Sequence, residues 1–405
     1  MTNLTKELNW RGFKNQTTIK DLSVLDDGQI TFYLGVDPSA DSMHIGHLAM
    51  AIMVKYFIAA GHTPILLVGG ATGLIGDPDG KAEERELKTV EEIEHNKQAI
   101  VAQYHKIFDG HDFTVVDNYD WFKDIKFVDF LRDYGKYFSM TQLLDRDFVK
   151  SRTGEGGSGI SYAEFSYSLI QGYDFLHLFH EKNVTLQVSG ADQWGNSLAG
   201  VELIRKIEGK EAHVYTAPLI INKTTGKKFG KTEEGAVWLD ENKTSVYQFY
   251  QFWLNIDDDS VIDYLKIYTP LSHDQIDSLG IESVSNPSER AAQKALAYEV
   301  TKLVHGTDRA EAAKKVTEVL FGDNRGVNQL DQGQLDLLAN EIPVISFGAL
   351  SDRLVESGVV ESKGEFRRLL DGGAISINGE KISEDKEITE ISLVKKGKNS
   401  FVLVR

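Results

Sequence analysis

The chain has 405 residues, a formal net charge of −17, 41% hydrophobic residues and no cysteine. That length predicts two or three domains with a large core, and the apolar and charged content excludes a disordered chain. The lack of cysteine excludes disulfides, thiol nucleophiles and Cys-ligated metal sites. No run reaches the 18 apolar residues of a membrane span; the best, Leu48–Ala60, is cut by Lys55. Met1–Phe13 has no apolar core of the signal-peptide kind, so a cytoplasmic location is the expectation.

In chain order, Ile30–Val36 reads as a strand, His44–Ala60 as a helix and Thr63–Val68 as a buried strand stopped by Gly69-Gly70. Glu91–Phe108 reads as an amphipathic helix, Ser161–His180 as a second one, and Val184–Val188 and Val214–Ile221 as short apolar strands. This alternation predicts an α/β, Rossmann-like parallel sheet, with ligands at the carboxyl ends of its strands. Ser245–Phe321 has helical spacing throughout, including Ala291–Val304 and Ala310–Leu320, and Gly322–Glu341 is polar like a linker. Phe347–Ser357 and Glu365–Leu370 read as helices. Ala374–Ile377, Asn378-Gly379 and Glu380–Ile382 read as strand, turn, strand, since Asn-Gly suits a two-residue hairpin. From Pro343 onward ten basic residues meet ten acidic ones, so the whole acidic excess lies before it. The expected domains are 1–240, catalytic and Rossmann-like, with an insertion over about 110–160; 241–321, α-helical; 322–342, a linker; and 343–405, a small α+β domain.

Two glycine motifs fail as nucleotide loops. Gly76-Asp-Pro-Asp-Gly80-Lys81 is one residue short of a phosphate loop, and Ala82 stands where Ser or Thr belongs. Gly154-Glu-Gly-Gly-Ser-Gly159 satisfies G-x-G-x-x-G but follows the charged segment Asp145–Arg152 rather than a buried strand, so it reads as a surface loop. His44 and His47 at i, i+3 lack a third metal ligand at any suitable spacing, and no metal site is expected. Their setting points elsewhere. A strand runs into Asp37-Pro-Ser39-Ala-Asp-Ser-Met and then a helix opens with His44-Ile-Gly46-His47. A helix N-terminus after a strand is a natural phosphate site.

Pro38-Ser-Ala-Asp-Ser-Met-His44-Ile-Gly-His47 resembles the HIGH signature of class I aminoacyl-tRNA synthetases, and Lys228-Phe-Gly-Lys231-Thr232 resembles their KMSKS signature in its KFGK[ST] form. Further blocks resemble the bacterial tyrosyl branch of that family: Tyr33-Leu-Gly-Val-Asp37-Pro38, Val68-Gly-Gly-Ala-Thr-Gly-Leu-Ile-Gly-Asp77-Pro78, Asn118-Tyr-Asp-Trp121, Glu164-Phe-Ser-Tyr167 and Gly190-Ala-Asp-Gln-Trp194-Gly-Asn. The resemblance runs in order along essentially the whole chain.

The resemblance implies a tyrosine–tRNA ligase that joins L-tyrosine to ATP and then transfers the tyrosyl group to the terminal ribose of tRNA(Tyr). A carboxylate is already ionised at pH 7, so the first step needs in-line alignment and charge stabilisation rather than a base. By family position His44, His47, Lys228, Lys231 and Thr232 carry that task. Gly35, Asp37, Ser39, Gly46 and Asp192 complete the ATP site, and Lys81 and Arg85 reach the phosphates from a loop. ATP enters as substrate, with Mg2+ inferred from its chemistry.

Tyr167, Gln171 and Asp174 fall at i, i+4, i+7 on one face of the Ser161–His180 helix, and a polar stripe in an α/β core needs partners. The resemblance assigns Tyr167 and Gln171 to the substrate ammonium and Asp174 with Tyr33 to the phenol, with Asp77 and Gln193 beside them. A buried pair aimed at a hydroxyl rejects phenylalanine, which would leave its polar groups unpaired. Three positions depart from the commonest pattern: Ser39 for Thr, Leu34 for Cys and Ala191 for Ser.

The last segment, from Ser362-Lys363 through Arg367-Arg368 to Asn378-Gly379, resembles the S4 RNA-binding domain, and Lys363, Arg367 and Arg368 are its expected RNA contacts. The aromatic-rich stretch Phe122–Met140 matches the family's dimer region, so a homodimer is expected. A tryptophanyl-type synthetase and an inactive RNA-binding relative are the alternatives.

Overall fold

The computed structural model describes residues 3–78 and 87–405 except 222, 224, 225, 227, 228, 230, 233, 234, 323–325 and 399; for Gln142, Asp147, Phe148, Lys231 and Thr232 it describes the backbone alone. Residues 1–244 with 257–292 form one compact unit, and residues 245–256 with 293–405 form another.

The first unit is built on a parallel sheet. Its strands are β1 (Thr31–Val36), β2 (Thr63–Val68), β3 (Thr114–Asp117), β4 (Leu186–Gly190) and β5 (His213–Ala217), in the order β3-β2-β1-β4-β5. Phe32, Tyr33 and Leu34 of β1 and Ile65–Val68 of β2 are all buried, as a sheet covered on both faces requires. The Ile45–Ala59 and Val90–Ile107 helices carry the chain from β1 to β2 and on to β3. The Tyr162–Lys182 and Trp194–Glu208 helices precede β4 and β5. Successive strands are therefore added on opposite sides of β1. The crevice at the carboxyl ends of β1 and β4 is the topological switch point, where open α/β sheets bind ligands.

The expected elements recur with shifted ends, and each shift has a cause. β5 stops at Ala217 because Pro218 has no N–H for the ladder. Ile220 is instead bonded through its carbonyl to the Phe229 N–H at 2.8 Å. Thr114–Asp117, within the stretch expected to form an insertion, is the edge strand of the sheet and pairs with β2. The Gly154–Gly159 loop is no dinucleotide site: it follows the Asp147–Thr153 helix, and Gly159 N–H returns to Arg152 O at 2.9 Å.

The helical stretch over 241–321 contributes to both units. Val261–Tyr268 and His273–Ser285 lie in the first, while Val246–Leu254 and Thr307–Phe321 lie in the second. The polar connection holds a helix, Gln332–Ala339, with Leu335, Leu337 and Leu338 buried. Beyond it a five-stranded sheet is covered by the Leu350–Glu356 and Lys363–Asp371 helices, and Leu350, Leu354, Phe366, Val394 and Val402 form its core. The hairpin expected at Asn378-Gly379 is present, with Ile377 paired to Glu380 and positive φ at both turn residues (47° and 88°). Among the described residues no helix is long and apolar enough to cross a membrane.

Candidate active site

A cavity of about 720 Å³ lies at the carboxyl ends of β1 and β4, within the size range of small-molecule sites. Its wall brings together Tyr33, Gly35, Asp37, Ser39, His44, Gly46, His47, Asp77, Tyr167, Gln171, Asp174, Asp192 and Gln193. These are all the expected tyrosine and ATP residues whose side chains are described. Lys81, Arg85 and Lys228 lie outside the described residues, as do the side chains of Lys231 and Thr232.

Tyr33 and Asp174 are both buried in the cavity wall, at 1% and 2% exposure. Tyr33 Oη has no hydrogen-bond partner among the described residues. Such an orphan costs about 1–3 kcal/mol, which a ligand hydroxyl would recover. Burial, and then the neighbouring Asp174 charge, hold the Tyr33 phenol well above its ordinary pKa, so it stays a donor. Asp174 Oδ1 accepts from Trp121 Nε1 at 2.9 Å and Oδ2 from Asn118 Nδ2 at 3.1 Å. Burial drives the Asp174 carboxyl well above the usual range, against the downward pull of those two donors. Neither Asn118 nor Trp121 was expected to act here. Their side chains reach Asp174 from the end of β3 and from the short Tyr119–Phe122 helix. The only sequence signal for them was their place in a family-like block.

A second cluster is acidic. Tyr167 Oη donates to Asp37 Oδ2 at 2.7 Å, and Thr72 Oγ1 donates to Asp37 Oδ1 at 2.6 Å. Asn118 Nδ2 also reaches Thr72 Oγ1 at 3.1 Å, so one hydrogen-bond chain joins Asp174, Asn118, Thr72, Asp37 and Tyr167. Gln193 Nε2 donates to Asp77. Asp37, expected at ATP, thus shares its carboxylate with a residue expected at the amino acid. Burial, followed by the charges of Asp37 and Asp77, holds the Tyr167 phenol well above its ordinary pKa. The neutral phenol, Asp37 and Asp77 together offer acceptors for a small cation. Gly69 makes this cluster possible: a Cβ there would fall 2.0 Å from Thr72 Oγ1 and 2.4 Å from Asp37 Oδ1.

The histidines form a capping box at the start of the Ile45–Ala59 helix. His44 Nδ1 accepts from Gly46 N–H at 3.0 Å, and His47 Nδ1 accepts from His44 N–H at 3.3 Å. The rings stack with centroids 4.0 Å apart. With Nδ1 accepting, a neutral ring carries its proton on Nε2, so each can present an N–H donor. Burial, and then His44, hold His47 well below its ordinary pKa, hence neutral. Gly46, expected to admit a nucleotide ring, has a local role as well: a Cβ would fall 2.8 Å from His44 Cε1. Gly35 differs, since a Cβ there meets nothing closer than 3.8 Å; packing does not demand glycine there.

The stretch that follows the KFGKT segment is tied to the start of the histidine helix through backbone. Ile45 N–H donates to Val237 O at 3.1 Å and Leu239 N–H to Met43 O at 2.9 Å. Lys231 and Thr232 pair with Ala236 and Gly235 on the hairpin strand that follows them. Buried Phe229 stacks on Tyr264, centroids 4.2 Å apart. In the second unit Lys363, Arg367 and Arg368 are exposed on one helix, with Lys363 paired to Asp352.

Residues 25–322 match the family model of class I tRNA synthetases (W and Y), and residues 334–405 match that of the tyrosine–tRNA ligase SYY-like C-terminal domain. The chain is 42% identical to the tyrosine–tRNA ligase 2 of Bacillus cereus, over 100% of its own length and 99% of that protein's. It is 44% identical to the tyrosine–tRNA ligase of Latilactobacillus sakei, over 100% and 96%. It superposes with a TM-score of 0.71 and 31% identity on a C-terminally truncated mitochondrial tyrosyl-tRNA synthetase of Aspergillus nidulans, covering 79% of this chain and 95% of the other. With a parallel sheet, a switch-point cavity and a histidine-capped helix already in place, these matches establish that the chain belongs to the class I tRNA synthetases of the tryptophan and tyrosine type.

Proposed function

We propose that the chain is a tyrosine–tRNA ligase, which activates L-tyrosine with ATP and transfers it to tRNA(Tyr). The observation that carries the substrate choice is the orphaned Tyr33 hydroxyl beside buried Asp174 in the cavity. A phenol placed there would accept from Tyr33 and donate to Asp174, satisfying both. An indole donates but cannot accept, and a benzyl group does neither, so each would leave the Tyr33 O–H donor unpaired, which disfavours the tryptophanyl alternative.

In this reading the substrate ammonium rests among Asp77, Tyr167 and Gln171, with Asp37 close by. The carboxylate then faces the α-phosphate without a base. His44 and His47 offer Nε2–H donors toward the triphosphate side, where the helix N-terminus adds its dipole. Lys228, Lys231 and Thr232, with Lys81 and Arg85, supply charge and donors to the departing pyrophosphate. Ser39, Gly35, Gly46 and Asp192 form the rest of the nucleotide site, and Mg2+ arrives on the triphosphate. The His44/His47 cap and the polar cavity favour an active enzyme over an RNA-binding relative without activity.

Lys363, Arg367 and Arg368 take part in RNA contact, and a modest exposed basic helix suffices for phosphate. The enzyme acts as a cytoplasmic homodimer. Exposed Phe127, Val128, Met140 and Leu144 support pairing through the 127–144 region.

The test is ATP–pyrophosphate exchange with purified protein, followed by charging of a tRNA(Tyr) transcript. Exchange should depend on tyrosine and not on tryptophan, and Lys231→Ala should lower its rate far more than tyrosine affinity. Tryptophan-dependent exchange, or none with any amino acid, overturns the reading.

A further inference from the structure

A partly buried polar chain leads from Arg146, through Ser168 and Asn196, to Gln193 and Asp77 in the cavity wall. Arg146 is the N-cap residue of the Asp147–Thr153 helix. Its guanidinium donates to Asn196 Oδ1 at 2.9 Å, to Gly195 O at 2.7 Å and to Ser168 Oγ. Ser168 Oγ also donates to Asn196 Oδ1 at 2.8 Å. Asn196 Nδ2 then donates to Gln193 Oε1 at 3.2 Å, and Gln193 Nε2 donates to Asp77. Asn196 and Ser168 are 4% and 2% exposed, so water cannot readily replace a lost link.

The polarity of this chain follows from donor counting. A guanidinium has only donors, so Asn196 must turn its oxygen toward Arg146 and its NH2 toward Gln193. Gln193 must then accept from Asn196 and donate to Asp77. A side-chain amide is nearly symmetric in shape, and nothing steric stops either one from flipping. The charge at Arg146 selects one orientation from the outer end, as the Asp77 carboxylate does from the cavity end.

We propose that Arg146 and Asn196 are positioning residues for the amino-acid site, setting the direction of a two-amide relay that fixes the Asp77 carboxylate in the cavity wall. The proposal rests on the tyrosine–tRNA ligase reading and adds to it the means by which the ammonium acceptor is held. Neither residue lines the cavity; both act through Gln193.

Asn196→Asp separates this role from simple packing. Aspartate is nearly isosteric and strengthens the contact with Arg146, so a merely structural link predicts unchanged or higher stability and unchanged kinetics. In the relay, aspartate has no NH2 to give. It forces Gln193 to turn its own NH2 outward and its carbonyl toward Asp77, breaking that bond and setting oxygen against oxygen. Tyrosine KM in the exchange assay should rise at least tenfold, with ATP KM within twofold of wild type and the thermal midpoint unchanged or higher. Arg146→Ala should also raise tyrosine KM, and should add nothing in a Gln193→Leu background, where the relay is already cut. A tyrosine KM within twofold of wild type for Asn196→Asp, or fully additive effects of Arg146→Ala and Gln193→Leu, overturns the proposal. Absence of tyrosine-dependent exchange in the wild type would instead count against the ligase reading itself.

Discussion

Asn118 places its amide between two groups far apart in the chain: Nδ2 lies 3.1 Å from Asp174 Oδ2 and 3.1 Å from Thr72 Oγ1, which in turn donates to Asp37. The Asp174 carboxylate and the acidic cluster are therefore held by one side chain. Asn118 is itself fixed from behind, since its Oδ1 accepts from Ala71 N–H at 2.7 Å.

Replacing that side chain should have a pH signature. Burial already pushes the Asp174 carboxyl upward, and the Asn118 hydrogen bond is the largest influence opposing it. In Asn118→Ala the carboxyl moves higher still. The ionised form is the better acceptor for a phenol O–H, so the loss in tyrosine kcat/KM should be larger at pH 6 than at pH 8. Exchange kinetics across that range check this; a loss independent of pH would assign Asn118 to packing alone.

Tyr33→Phe should trade activity against stability. It removes a buried hydroxyl that has no partner among the described residues. Without ligand, the variant should be as stable as wild type or more stable by up to about 1 kcal/mol, while tyrosine KM rises about tenfold. Thermal unfolding with and without tyrosine measures both. A destabilised variant with unchanged KM would show that the hydroxyl is already satisfied.

His47 makes a statement about stability in mild acid. Its folded pKa lies well below the ordinary 6.5, chiefly through burial. The unfolded chain takes up a proton near 6.5 while the folded one does not. The stability this represents is present above pH 6.5 and is lost as pH falls toward the folded value, by at most about 1.4 kcal/mol per pH unit. His47→Gln should flatten that slope in denaturant titrations between pH 6.5 and 5. Under the proposed mechanism it should also lower the activation rate at pH 7.5, where the neutral His47 ring would be the donor.

Deleting everything after Ile342 should abolish tRNA charging and spare adenylate formation. One core beyond that point runs from Ile345 to Val404, and the aromatic contact across the cut is Phe401 edge-on to Phe321, centroids 5.7 Å apart. The Asp336–Arg405 ion pair cut by the deletion is exposed, and such pairs contribute little. Loss of both activities would mean that the tail supports the fold.

The sequence carried the sheet and the polar stripe because both are local patterns. β1 and β2 are unbroken apolar runs, and Tyr167, Gln171 and Asp174 repeat on one helical face. What it hid is non-local. The donors that hold Asp174 sit 53 and 56 residues away, and nothing in Asn118-Tyr-Asp-Trp121 announces where they point. Asp37 read as a nucleotide residue because its segment leads to His44; only the fold brings it to Tyr167. Thr114–Asp117 was missed because four residues carry too little periodicity. Ser392–Lys396 was missed because Lys395 and Lys396 mask the alternation of a strand whose first three residues are buried.

A crystal structure with bound L-tyrosine tests the central claim most directly. The account predicts the phenol oxygen within about 2.5–3.0 Å of both Tyr33 Oη and an Asp174 oxygen, with the ammonium toward Asp77 and Tyr167. A ligand bound in the opposite sense, or a Tyr33 hydroxyl still without a partner beside it, would contradict it.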